Sequence, residues 1–166
     1  MRSILFIAFL LIFSNSCKVY SFTGANIDPN IKTISIEYIY NKSGNGPASA
    51  SDIITNSLKE KMLINTSLKQ VNQGGDIVFS GDIVSYNYSI QAPTGNLSSD
   101  LRRITISLKV NLINHLNPSE GFEQQQFTRF ADYPVTEDLS TVEENLIREI
   151  SLQLVDDIFN KAFVKW

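Results

Sequence analysis

"RRITISLKVNLIN", residues 102–114, is the stretch that decides the fold. Ile104, Ile106, Leu108, Val110 and Leu112 fall on one parity, and Arg103, Thr105, Ser107, Lys109 and Asn111 fall on the other. A side-chain period of two belongs to a β-strand, whose successive residues point to opposite faces of a sheet. Read as a helix, the same five apolar residues would turn by about 200° from one to the next and share no side. The clean division into apolar and polar parities predicts a sheet buried on one face and open on the other.

The neighbouring segments fit around this strand. In "IVFSGDIVSYNYSI", residues 77–90, Ile77, Phe79 and Ile83 share one parity and Val84, Tyr86 and Tyr88 the other, which predicts a bulge between Gly81 and Val84. "QAPTGNLSSD" reads as a polar loop, "HLNPSEG" as a turn and "FEQQQFTRFADY" as a further, polar strand. Upstream, "KTISIEYIY" alternates Ile34, Ile36, Tyr38 and Tyr40 with Thr33, Ser35, Glu37 and Ile39 and is expected to form one strand. "SLKQV", residues 67–71, is a short strand.

Two segments carry a helical period. From about Ser49, Ile54, Leu58 and Met62 recur every four residues. Near the C-terminus Val142, Leu146, Ile150, Leu154 and Ile158 line one face, widened by Ile147, Val155, Phe159 and Ala162. Ser140 and Glu143 have the spacing of a capping box at its start. The order β-α-β-β-β-β-α predicts an α+β two-layer sandwich, with two helices packed on one face of a mixed four- to five-stranded sheet. The other face is left for a partner.

The N-terminus places the chain in a cell. After Arg2 comes an unbroken apolar run, residues 4–13, then Ser14, Asn15, Ser16 and the single cysteine, Cys17. The run has the length of a signal-peptide core and falls short of the roughly 20 residues of a membrane-spanning helix. The favoured reading is a lipobox, with residues 1–16 removed and Cys17 acylated, although Ser14 stands where a leucine is usual. Ordinary cleavage after Ser16 and an uncut anchor are the alternatives. The divisions expected are a signal peptide at 1–16, a lipidated lead-in at 17–31 and one domain at 32–166. Each buried methylene of an acyl chain contributes about 0.8 kcal/mol, so two or more chains hold a protein at a membrane durably.

Composition narrows the function. The chain of 166 residues has a formal charge of −3, which gives no electrostatic reason to expect nucleic acid. One cysteine makes no internal disulfide, and with the lone His115 it does not make a zinc site. No nucleophile elbow, phosphate loop or dinucleotide fingerprint occurs, so neither an enzyme nor a cofactor is expected. Glu143-Glu144 and Asp156-Asp157 are adjacent helix positions that diverge by about 100° and share no site; they read as solvated faces. Tyr38, Tyr40, Tyr86, Tyr88, Phe127 and Phe130 read as sheet packing or as an aromatic contact surface. Arg102 and Arg103, with Lys109 on the parity of Arg103, read as ordinary surface charge or as a basic spot suited to phosphate or carboxylate groups, and Arg148 is a weaker candidate.

The chain as a whole resembles the LptE family, the lipoprotein subunit of the outer-membrane lipopolysaccharide translocon. The likeness lies in "YSFTG" after the cysteine, "KTISI", "GDIVFSGDI", "RRITISLKV", "FTRFADY" and "VEENLIREISLQLVDDIFNKA". The resemblance implies two helices on a four-stranded sheet. It also implies a lipid anchor on the periplasmic side of the outer membrane, a role in assembling and plugging the LptD β-barrel, and binding of lipopolysaccharide. Binding residues of the family fall near the loop before "RRITISLKV" and at the start of the last helix, where Arg102, Arg103 and Arg148 stand here. A pilot or chaperone lipoprotein for another envelope secretion machine is the alternative.

Overall fold

In the computed structural model, which describes residues 25–91 and 101–164, the elements run β1 (Thr33–Ile36), β2 (Tyr40–Asn41), α1 (Ser49–Asn65), β3 (Lys69–Gln70), β4 (Ile77–Gln91), β5 (Leu101–Asn114), a 3-10 turn (Pro118–Glu120), β6 (Phe122–Pro134) and α2 (Leu139–Phe163). The expected signal segment, Cys17 and residues 92–100 lie outside the described residues. The sheet is mixed and six-stranded, in the order β3-β1-β4-β5-β6, with β2 also beside β4. β1 is parallel to β3 and β4, β2 is parallel to β4, and β4, β5 and β6 form an antiparallel meander. Both helices cover one face, as the alternation of β5 requires.

The inward row of β5 is sealed: Ile104, Ile106, Leu108, Val110 and Leu112 are all buried. The bulge sits at Val84, where the β4–β5 register slips between Ile83 and Ser85. It turns two opposite parities onto the same face. Ile83 lies opposite Leu108, and past the slip Tyr86 lies opposite Ile106. Without the extra residue, either Ile83 or Tyr86 would face solvent. Gly46, at φ +83°, lies beneath the Tyr86 ring; a Cβ there would come within 2.7 Å of it.

The first strand departs from its expected course. The alternation of "KTISIEYIY" predicts Tyr38 and Tyr40 inward, but Ile39 is the buried residue and both tyrosines are exposed. The chain leaves the ladder after Ile36 and rejoins it at Tyr40. Inside that break the Ile39 N–H donates to Thr55 Oγ1 of α1 at 3.1 Å, and the Tyr38 hydroxyl donates to Asp52 at 2.9 Å. Helix contacts therefore override local alternation. The start of β1 is held by Asp76, whose Oδ2 accepts from Lys32 N–H (2.8 Å), Thr33 N–H (2.9 Å) and Thr33 Oγ1 (2.9 Å). The Lys32 and Thr33 amides hold this carboxyl below its ordinary range.

The last helix packs as its stripe predicts, with Leu146, Ile147, Ile150, Leu154, Val155, Ile158 and Phe159 buried. Its cap differs. Asp138 is the N-cap, accepting from Ser140 N–H at 3.1 Å. Ser140 is thus already inside the helix, and Glu143 is free to turn toward the sheet. α1 and α2 meet through the Ser57 and Ser151 hydroxyls at 3.0 Å, and Lys61 reaches Asp156 at 2.6 Å. Ile150 lies at the centre of this layer, fully buried. Ile150→Ala is expected to cost about 2–5 kcal/mol, read as a lower urea midpoint; a change below about 0.5 kcal/mol would mean a surface position.

Candidate functional site

Burying one face leaves the other as the surface with room for a partner. On it Ser107 and Thr128 hydroxyls meet at 2.8 Å, and Asn111 Oδ1 accepts from Gln124 N–H at 2.7 Å. Gln124 has φ 50°, beside the register slip between Val110 and Leu112. The surface is an ordered hydroxyl and amide ladder in which Phe130 and Ile113 stand exposed. At one end, Ser35, Tyr38, Tyr40, Val78, Ile113 and His115 line an open groove of 660 Å³. His115 is exposed in its turn, and its backbone N–H donates to the Asp76 carbonyl at 2.9 Å.

The four candidate cations do not converge. Arg103 and Lys109 lie on the open face, while Arg102 has the inward parity of Ile104, at the end of the strand. Lys109 is six positions along the strand from Arg103, a span of about 20 Å. Arg103 is already engaged: its Nε and Nη2 grip Asp132 at 2.6 and 2.8 Å, and its guanidinium lies 3.6 Å over the Phe130 ring. The Asp132 hydrogen bonds hold that guanidinium above its ordinary pKa. Arg148 pairs with Glu144 on its own helix. Among the described residues, Arg102 and Lys109 have no carboxylate partner.

The carboxylate pairs diverge as expected, but each member has its own work. Asp157 takes Arg129 of β6 in a two-pronged grip at 2.6 Å on each side, while Asp156 takes Lys61 of α1. Glu143 Oε1 accepts from Tyr86 Oη at 2.9 Å and from Tyr88 Oη at 2.6 Å, and the two rings meet edge-on at 5.4 Å. This clasp of α2 to β4 was invisible in the sequence, because the spacing of Ser140 and Glu143 matched a cap. Its one trace was the matching parity of Tyr86 and Tyr88. Among the described residues, no three His, Cys, Asp or Glu side chains gather to hold a metal, and no helix is long and apolar enough to cross a membrane.

The sequence from residue 31 to residue 162 matches the family described as LptE, lipopolysaccharide-assembly. The chain belongs to the LptE family. Among curated proteins, none matches the sequence. Solved structures show the same fold as this LptE chain at low identity. Lipoprotein B from Nitrosomonas europaea is 14% identical, covers 86% of this chain and 86% of that one, and has a TM-score of 0.51. A homolog of the neuraminyllactose-binding hemagglutinin from Helicobacter pylori is 13% identical over 86% and 88% of the two chains, at 0.53. A hypothetical protein from Chlamydia trachomatis is 7% identical over 80% and 98%, also at 0.53.

The tyrosine clasp has a measurable signature. Burial first, then the hydrogen bond to Glu143, raises the Tyr86 phenol well above its ordinary pKa, and the same causes push Tyr88 up to about 12. The folded form then keeps the Tyr86 proton after the unfolded chain has lost it. This makes no difference near neutrality; above about pH 10 stability falls, by up to about 1.4 kcal/mol per pH unit from Tyr86. Urea midpoints measured across that range should fall less steeply with pH in Tyr86→Phe. An unchanged alkaline slope would show that the Tyr86 phenol ionises as freely in the fold as outside it.

Proposed function

We propose that this protein is an outer-membrane lipoprotein, acylated at Cys17 and facing the periplasm, that assembles with and plugs an LptD-like β-barrel for lipopolysaccharide transport and insertion. The observation that carries this reading is the LptE match across residues 31–162, nearly the whole folded domain. The architecture supports it: a one-sided sandwich leaves a polar, hydrogen-bonded sheet face that can lie against the polar lumen of a barrel. The lead-in supports it too. Residues 18–24 span at most about 25 Å when extended, which keeps the domain close to an anchor at Cys17. No catalytic step is part of this role.

Lipopolysaccharide carries phosphates and acidic sugars, and an acidic domain holds them through local cations. Arg102 and Lys109, which have no carboxylate partner among the described residues, are the proposed contacts. Arg103 and Arg148 remain contacts only if the ligand competes with Asp132 and Glu144. Binding of purified lipopolysaccharide to the detergent-solubilised chain should weaken by about tenfold in Arg102→Ala/Lys109→Ala, with a shallower salt dependence than the wild type. Equal affinity and equal salt dependence would remove these two residues from the mechanism.

Two measurements test the larger reading. Intact mass of the membrane-extracted protein should show acyl chains on Cys17, and Cys17→Ala should move the protein into the soluble periplasmic fraction. A crosslinked pull-down from membranes should bring down a β-barrel; recovery of a secretin-like ring instead would favour the pilot or chaperone role.

A further inference from the structure

β4 has strands on both flanks only along its first half. β1 runs beside Ile77, Val78 and Phe79, and β2 beside Asp82 and Ile83. From residue 85 to residue 91 β4 is paired with β5 alone, and among the described residues nothing bonds to its other main-chain edge. That leaves about 23 Å of strand edge, with alternate backbone N–H and C=O groups facing outward.

Proteins normally blunt such edges with charge, proline, bulges or shortness. The other flanks of this sheet follow that rule. β3 is two residues long and includes Lys69; β2 is two residues long. β6 carries Glu123, Arg129 and Asp132, has Gln124 at φ 50°, and ends at Pro134. The segment Ser85, Tyr86, Asn87, Tyr88, Ser89, Ile90 and Gln91 has no charge, no proline and no further register slip. Its exposed apolar groups are Tyr88 at 46% and Ile90 at 74%.

We infer that residues 85–91 are a β-augmentation edge that takes an extended, uncharged polypeptide segment of the barrel partner as an added strand. This rests on the barrel reading above. An unpaired strand edge is matched by main-chain donors and acceptors, so its occupant is a peptide chain rather than a lipid or a sugar. A closed barrel has no free strand edge of its own, so the donor is a loop or a terminal segment. Alternation sets its sequence: apolar residues beside Tyr88 and Ile90 on the helix side, polar ones beside Ser85, Asn87 and Ser89 on the open side.

Two other occupants fit less well. The lead-in enters at the opposite end, where Asn26 N–H donates to the Phe163 carbonyl and Asn26 lines a small cavity with Ile77 and Leu112. β4 runs about 46 Å from Ile77 to Gln91, beyond the roughly 25 Å reach of residues 18–24. A second copy paired antiparallel along this edge would direct the two lead-ins to opposite ends of the dimer, whereas a single leaflet holds both anchors.

Hydrogen exchange on the full-length chain, alone in detergent and in the complex from the pull-down, tests this. Outward amides among residues 85–91 should slow by at least about tenfold in the complex, with the β6 edge unchanged. Ile90→Lys, placed where the side chain is mostly exposed, should abolish that protection and weaken barrel recovery without lowering the thermal midpoint. A barrel complex in which 85–91 exchanges as in the free chain overturns the edge and leaves the barrel reading standing. If no barrel is recovered, both readings fall. Protection that appears in the chain alone and rises with concentration overturns the inference in favour of a second copy.

Discussion

β5 can be buried from one side only. Its inward row, from Ile104 to Leu112, is sealed from water, while the residues between them are Thr105, Ser107, Lys109 and Asn111, with Arg103 just before. Covering both faces would strand those polar groups, and an uncompensated buried amide or hydroxyl costs on the order of 1–3 kcal/mol. Both helices must therefore lie on the isoleucine side. Ser107 shows the limit of the rule: it is buried on the open side, and the Thr128 hydroxyl at 2.8 Å satisfies it.

One-sided cover propagates outward from β5. α2 is the longer helix, and its stripe spans β5, β6 and α1, so its position sets the rest of the layer. Polar contacts fasten its length: Asp138 caps it, Glu143 holds the two β4 tyrosines, Asp156 meets α1 and Asp157 meets β6. The exposed ion pairs among these contribute little individually. The Tyr86–Glu143 bond lies in a half-buried setting and is the one most coupled to packing. The bulge at Val84 makes that bond attainable, because it turns Tyr86 under the helix.

The same geometry leaves two surfaces where helices are absent. The ladder of Ser, Thr, Asn and Gln on the open face presents directional groups that a polar partner surface can match. The edge of β4 over residues 85–91, unpaired among the described residues, presents backbone groups, which a strand matches. Charge plays the smaller part. The cations that adjoin in sequence at Arg102 and Arg103 point to opposite faces, and Asp132 takes most of what Arg103 offers.

Periodicity alone was enough to establish the helices, the central strand, the bulge and the one-sided sandwich. These depend on burial of apolar rows, and a row of five isoleucine-type residues leaves few alternatives. The family likeness was equally legible, because it is carried by the order of those rows. Three features were settled only in three dimensions. Ile39 displaced the tyrosines from the core because Thr55 of α1 took its N–H. Glu143 left the cap that its spacing suggested because Asp138 was already the cap and two phenols lay within reach. Arg103 was drawn out of the cation spot because Asp132, 29 residues further along the chain, lies beside it. In each case a hydrogen bond between segments distant in sequence outweighed a local preference worth less than about 1 kcal/mol, and a partner that distant is not written in the residues on either side.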